Sequence, residues 1–338
     1  MKVTFFSRRP MRGNFSIERV FEVVRKNLPK DIGHEVFVPK YISKGFFPRL
    51  YDVFEAAFHQ GDVNHITGDV HFLSYLLGKN KTVLTIHDCV FLHTKMSKIS
   101  RAIIKFFWYQ MPAKRVAYIT TISQFSKKEI LSVVNFDPQK IIIIADPLPN
   151  GFRYSKKAFN RKEPVILQIG TSVNKNLFNL FAALKGVKCR LNIVGRLNAE
   201  HLHALKKNHV RYKNYLNLTD AQIVKKYEEC DLVTFVSTYE GFGMPIIEAN
   251  AVGRAVLTSN IAPMDEVAHG SACLVDPNDI LSIREGLLKI ISDRHYREEL
   301  IKSGLKNAKR FDPHIIANQY LRLYKQVVGK RSLNKTVD

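Results

Sequence analysis

Runs of apolar, mostly β-branched residues recur along the chain, separated by stretches whose apolar positions return every three or four residues. The plainest run is 232–236, Leu-Val-Thr-Phe-Val, which lacks the polar alternation of a half-exposed strand and reads as a parallel strand buried on both faces. Comparable runs predict strands over 2–7, 35–39, 62–67, 82–86, 118–122 and 141–145 in the first half. The second half predicts them over 164–170, 190–195, 210–212, 255–259 and 273–275 as well. Helical spacing fills most of the gaps. Ser16 can cap a helix in which Ile17, Val20, Phe21 and Val24 share a face, Thr219 to Gln222 forms a capping box, and 313–328 closes the chain amphipathically. Alternating strand and helix predicts an α/β protein with parallel sheets covered on both faces.

The rhythm breaks once, at Asp146-Pro147-Leu148-Pro149-Asn150-Gly151, and a fresh strand follows. Two doubly wound, Rossmann-like domains are therefore expected, over 1–155 and 156–312. A terminal helix, 313–330, is expected to pack back on the first, and the chain to fray beyond it. The length of 338 residues is comfortable for two such domains. Cys89, Cys189, Cys230 and Cys273 show no paired spacing, which predicts reduced thiols in a cytoplasmic protein and argues against a zinc site. The opening residues are too short an apolar run for a signal peptide, and no stretch reaches membrane-spanning length.

Charge changes the picture more. The net charge is +22, spread as 22 basic against 12 acidic residues in 1–150 and 30 against 18 thereafter. From Lys95 to Lys128 there are eight basic residues and no acidic one. Such a chain favours anionic partners. The segment 96–111 sets Lys98, Arg101 and Lys105 on one helical face beside Ile99, Ile103, Phe106, Phe107 and Trp108. It reads either as an ordinary surface helix or as one lying on an anionic bilayer.

Candidate chemistry gathers after the 232–236 strand. A turn holding Glu240, Gly241 and Gly243 leads into a helix that Pro245 is expected to open at its first position. Strand, glycine turn and helix N-terminus make a socket for anions. Glu240 on the loop and Glu248, expected in the first turn, cannot neutralise a phosphate and read as acceptors for hydroxyl groups on either side of one. A ligand with a central diphosphate and polyols at both ends, a nucleotide sugar, fits that arrangement. Gly13, in the loop after the first strand, marks a second and weaker socket of the same kind. Polar groups also end three strands of the first half: Asp69 and His71, His87 and Asp88, and Ser123. At the carboxyl edge of a parallel sheet such residues form a binding wall. No Asp-x-Asp pair stands near a strand end, so no metal is expected.

The run Glu240-Gly241-Phe242-Gly243-Met244-Pro245-Ile246-Ile247-Glu248 resembles the E-x7-E signature of glycosyltransferase family 4, which is built on the GT-B fold. Gly170-Thr171 with Lys175-Asn176, Val194-Gly195, Pro263 with Glu266 and Leu274-Val275-Asp276-Pro277 extend the likeness, as do Thr85-Ile86-His87-Asp88 and Thr121-Ile122-Ser123. The resemblance implies two domains facing a central cleft and a retaining, metal-independent transfer of a sugar from a nucleotide donor, with no cofactor. Glu240, Lys175 and His87 would be catalytic: Glu240 on sugar hydroxyls, Lys175 on the departing diphosphate, His87 reaching across the cleft. Glu248 would take the ribose hydroxyls. Gly170, Thr171 and the amides of Phe242, Gly243 and Met244 would line the donor, with Tyr215 and Leu216 at the base. Thr171 stands where many members carry a second cation, which Arg196 or an N-terminal-loop arginine would supply instead. Gly13, Asp69, His71, Asp88 and Ser123 would serve an anionic or lipid-linked acceptor in bacterial-type surface polysaccharide or glycolipid synthesis. Association with the inner face of an anionic membrane is expected, nucleic acid as a partner is not. An epimerase of the same shape and a non-catalytic binder of membrane or nucleic acid are the alternatives.

Overall fold

A computed structural model describes residues 1–9, 16–42, 45–93 and 96–335. Its strands form two six-stranded sheets, each wholly parallel. In the first, β1 (Lys2–Phe6), β2 (Gly33–Phe37), β3 (Val63–Ile66), β4 (Thr82–Thr85), β5 (Tyr118–Thr121) and β6 (Ile141–Ile143) lie in the order β2-β1-β3-β4-β5-β6. In the second, β7 (Val165–Ile169), β8 (Arg190–Val194), β9 (Tyr212–Tyr215), β10 (Leu232–Phe235), β11 (Ala255–Ser259) and β12 (Cys273–Val275) are ordered β12-β11-β10-β7-β8-β9. The chain divides into two compact units, Met1–Pro147 with Pro313–Asp338, and Leu148–Asp312.

Helices on both faces explain the unbroken apolar runs. Along β1, Val3 and Phe5 enter one core of the first unit and Phe6 the other, and Val83 and Leu84 of β4 divide in the same way. The Pro313–Lys335 helix completes one of these cores with Ile316, Tyr320, Leu323, Tyr324 and Val327, at three- and four-residue spacing. Its Tyr324 hydroxyl bonds His65 Nδ1 at 2.6 Å, while His65 Nε2 reaches Thr85 at 2.7 Å. The helix runs to Lys335, five residues past the point where fraying was expected. In the second unit one core gathers Leu180, Phe181, Leu191, Leu232, Leu257 and Leu287. All four cysteines are buried and unpaired. Among the described residues no helix is long and apolar enough to cross a membrane.

Several boundaries differ from the reading of the sequence. The unit boundary falls at Pro147 rather than 155, because the intervening residues pack on the second unit. Leu148 N donates to Phe311 O, and the Phe152 ring meets Tyr227 edge-on at 5.2 Å. β9 occupies Tyr212–Tyr215 instead of 210–212, and β2 starts two residues early at Gly33. Both are edge strands, and the polar or small residues at Gly33-His34 of β2 and Lys213-Asn214 of β9 are exposed, so the apolar pattern does not mark where these strands begin or end. The helix expected over 96–111 runs without a break from Lys98 to Ala113 but is not α-helical throughout: Lys98–Ile104 widens into a π-helical stretch at Lys105–Gln110, and Met111–Ala113 is α-helical again.

Candidate functional site

In the second sheet the strand order reverses between β7 and β10, and the loops leaving their carboxyl ends lie side by side. A parallel sheet opens a crevice for ligands at such a switch point. Gly170 follows β7 at φ +86°, a left-handed conformation that a side chain would strain, and a Cβ there would meet Lys175 Cε at 2.9 Å. Asn176 closes the loop, donating to Val236 O at 3.1 Å and Pro277 O at 2.6 Å. The neighbouring Asn174 ties this loop to the one after β10. Its carbonyl accepts from Thr238 N at 2.8 Å, and its amide donates to Tyr239 O at 2.9 Å and to Glu240 Oε1 at 3.0 Å. Lys175 Nζ reaches the same Glu240 Oε1 at 2.6 Å and lies 4.6 Å from the centre of the Phe235 ring. The two side chains keep 17% and 16% exposure, so this ion pair is sheltered yet open to a ligand.

Gly243, at φ +148°, caps the Met244–Val252 helix, and a Cβ there would meet Ile246 Cδ1 at 3.0 Å. The first-turn amides of a helix have no intrahelical acceptor and carry the positive end of its dipole. One detail corrects the sequence reading: the helix begins at Met244, so Pro245 is its second residue and Glu248 lies just beyond the first turn. The Phe242 side chain is buried edge-on against Phe311 at 5.7 Å, which leaves its backbone as the part that can face a ligand. Glu248 Oε2 accepts a 2.5 Å bond from the hydroxyl of Tyr227, a fully buried residue of the Asp220–Glu229 helix. Burial, with the Glu248 charge beside it, holds the Tyr227 pKa well above the ordinary phenol value, so the hydroxyl stays a donor.

Around this corner Thr171 Oγ1 donates to Arg196 O at 2.8 Å, and the Arg196 side chain is exposed. Tyr215 ends β9 with Lys226 Nζ 4.4 Å from its ring centre, and Leu216 beyond it is half exposed. Every residue expected on the donor side thus belongs to one unit. Asn174 and Tyr227 were not singled out from sequence, and Asn176 entered only beside Lys175 in the family likeness. Asn174 precedes Lys175 in the loop after β7, and that adjacency is the signal that could have found it. Tyr227 carries no such signal, because its partner lies 21 residues away in a different helix.

The first sheet reverses between β1 and β3. Beyond those strands Ser7 and Thr67 share a 3.1 Å hydroxyl bond, and Arg8 bonds Glu18 at 2.6 Å and Asp69 at 2.8 Å. Burial opposes the Arg8 charge, but these carboxylates outweigh it and hold its pKa above the usual value. Arg8 is therefore committed within its own unit rather than offered as a second cation, and Asp69 is engaged by it. His71 Nδ1 bonds Trp108 O at 2.8 Å. His87 is buried, and neither ring nitrogen finds a hydrogen-bond partner among the described residues. Burial drives its pKa down to about 4, with Asp69 opposing the drop and His71 and Arg8 adding to it. The structure therefore brings Asp69, His71 and His87 together. Asp88 accepts from Val90 N at 3.0 Å, and Ser123 caps the Gln124–Val133 helix through Ser126 N at 3.0 Å. Gly13 lies outside the described residues. No group of three or more His, Cys, Asp or Glu side chains able to hold a metal stands among the described residues.

Two Rossmann-like units with these strand orders make the fold GT-B. Sucrose-phosphate synthase from Thermosynechococcus elongatus superposes with a TM-score of 0.77 at 16% identity, covering 97% of this chain and 99% of that one. Anabaena Alr3699/HepE, solved in complex with UDP-glucose, gives 0.74 at 15% identity over 96% of this chain and all of that one, 100%. Residues 153–307, most of the second unit, match the family model for glycosyl transferases group 1. The O-antigen chain mannosyltransferase B of Escherichia coli is 27% identical over 232 residues, 61% of this chain. That match spans 60% of the relative's own length.

Proposed function

We propose that this chain is a retaining glycosyltransferase of family 4, transferring a sugar from a nucleotide-diphosphate donor to an acceptor hydroxyl in the synthesis of a bacterial-type surface polysaccharide or glycolipid. One observation carries the reading. The Lys175–Glu240 pair, at 2.6 Å, joins the loop after β7 to the loop that runs from β10 into a glycine-capped helix N-terminus, at the sheet's switch point. Cationic and anionic groups so placed suit a ligand that is both diphosphate and polyol. The matched family and the mannosyltransferase relative support the same reading.

In this proposal the first-turn amides near Gly243 and the Lys175 ammonium stabilise charge as the bond between the sugar's anomeric carbon and the diphosphate oxygen breaks. Glu240 holds the sugar hydroxyls. Both of its bonds fall on Oε1, which leaves Oε2 for them. Glu248, restrained by Tyr227, takes the ribose hydroxyls, and Arg196 is the cation with freedom to reach the diphosphate. His87, neutral and with unpartnered nitrogens, accepts a hydrogen bond on the acceptor side. Lys175 and the helix amides supply the countercharge that a divalent metal would otherwise give, so turnover is proposed to survive EDTA. The acceptor is proposed to be lipid-linked, at the cytoplasmic face of an anionic membrane.

The test is incubation with a panel of nucleotide sugars and lipid-diphosphate-linked acceptors, read by mass spectrometry for glycosylated product. Replacing Glu240 or Lys175 by alanine is expected to lower turnover by roughly 10²–10³-fold with the circular dichroism spectrum unchanged. Near-normal turnover in either variant removes that residue from the mechanism. An altered sugar nucleotide with no glycosylated product would overturn transfer in favour of epimerisation.

A further inference from the structure

The first unit presents an unusual amount of exposed aromatic surface. The Phe46–Ala57 helix buries Asp52, Val53 and Ala56 and turns outward Phe46, Phe47, Leu50, Phe54 and, just beyond its end, Phe58. Phe47 is 79% and Phe58 87% exposed. The 46-50-54-58 spacing makes this one continuous helical stripe. The helix's carboxylates face away from it: Asp52 is buried, and Glu55 Oε2 is out of reach of solvent. Isolated exposed apolar residues are ordinary, but a stripe of phenylalanines is not.

A second such surface stands beside it. In Lys98–Ile104 and the π-helix after it, apolar residues that an ordinary surface helix would pack on the sheet are outside: Ile99 is 75% exposed, and Ile103, Phe106 and Phe107 are exposed as well. Ile104, Trp108 and Tyr109 face inward, onto the core of the first unit. The two elements are joined. Arg49 of the phenylalanine helix lies over the Trp108 ring at 4.9 Å, and Tyr75, on the short helix between them, donates to Phe107 O at 2.5 Å. Lys98 and Arg101 are exposed among these apolar side chains, and Lys105 is partly so.

We infer that this paired surface docks the protein on an anionic lipid bilayer, with the phenylalanines and isoleucines entering the headgroup–acyl boundary and the basic residues meeting lipid phosphate. The inference deepens the proposed function, on which it rests for the lipid character of the acceptor. Charge decides among occupants. A second copy meeting this face symmetrically would bring Lys98, Arg101 and Lys105 against their own mates in a chain already at +22. An anionic bilayer satisfies both components, because apolar insertion and attraction of lysine and arginine act together at its surface.

The experiment is vesicle co-sedimentation of the full chain with phosphatidylcholine alone and with added phosphatidylglycerol. Wild type should partition at least about tenfold more strongly to the anionic vesicles. Phe47→Ser/Phe54→Ser and, separately, Lys98→Glu/Arg101→Glu should each reduce that binding by about tenfold or more. All replaced side chains are solvent-facing, and the thermal shift given by nucleoside diphosphates should stay at the wild-type size in both. Equal partitioning of wild type to both vesicle types overturns the docking, as does wild-type binding by both variants. A concentration-dependent dimer that disappears in Phe47→Ser/Phe54→Ser assigns the face to a second copy and overturns it too. Failure of docking with an intact nucleotide shift leaves the transferase reading standing. Vesicle binding by a chain that makes no glycosylated product retains the docking alone.

Discussion

The carboxyl edges of the two sheets occupy the same topological position, and each carries an ion pair, but among the described residues only the first sets buried imidazoles beside it. After β7 and β10, in the second unit, charged side chains remain partly open to solvent and are paired to one another across neighbouring loops, as Lys175 and Glu240 are. In β3 and after β4, in the first, imidazoles have been drawn inside. His65 is fully buried and His87 nearly so, and burial first of all lowers their pKa values to about 3 and about 4. The exposed carboxylate–ammonium pair can meet a charged, hydroxyl-rich ligand at little cost. The enclosed histidines cannot hold charge and can act only as neutral hydrogen-bonding groups. Topology therefore locates both sites, while burial decides what chemistry each can perform.

Acid should break this contrast with the largest effect. In the folded state both histidines titrate far below the ordinary 6.5, so between pH 6.5 and about 4 the unfolded chain binds more protons than the folded one. Their contribution to stability is complete above pH 6.5 and is lost as pH falls toward 4. Asp146 works the other way, since burial raises it to about 7, and it offsets one of the two protons. The net loss should be on the order of a few kcal/mol and should fall on the first unit. Trp108, the chain's one tryptophan, lies in that unit and reports on it. Urea unfolding followed by its fluorescence should shift to lower midpoint between pH 7 and pH 4.5 by more than the far-ultraviolet dichroism transition does. Coincident shifts would show that the burial contrast does not govern stability.

A smaller effect sharpens the other side of the comparison. Tyr227→Phe removes the 2.5 Å bond to Glu248 without changing shape. A hydrogen bond to a charged group contributes about 1.5–3 kcal/mol, so donor KM should rise roughly tenfold or more. The rate at saturating donor should change less than about twofold, because Glu248 is assigned to binding rather than to bond cleavage. An unchanged KM would make Tyr227 a packing residue only.

Much of this was legible in the sequence, and the exceptions have common causes. Central strands such as β4 and β10 are buried on both faces, so their apolar runs are unmistakable. β2 and β9 are edges, and the exposed Tyr212-Lys213-Asn214 of β9 reads as loop. Glu240 and Gly243 were visible because glycines, proline and charges at fixed spacing near a strand end have few other uses, whereas Lys175 entered only through the family resemblance. Tyr227 was hidden because its bond joins two helices whose proximity only the fold creates. The residues 98–107 left two readings open for a different reason. Apolar periodicity locates a face but does not say whether the protein covers it, and here Ile99 and Ile103 are left outside.

The central claim is that the corner formed by the loops after β7 and β10 holds a nucleotide diphosphate. Hydrogen exchange read peptide by peptide, with and without a saturating nucleoside diphosphate, tests it most directly. Exchange should slow in peptides covering 170–176 and 240–248 and stay unchanged in those covering 63–71. Protection confined to the first unit, or none in either loop of the second while the ligand is bound, would contradict the account.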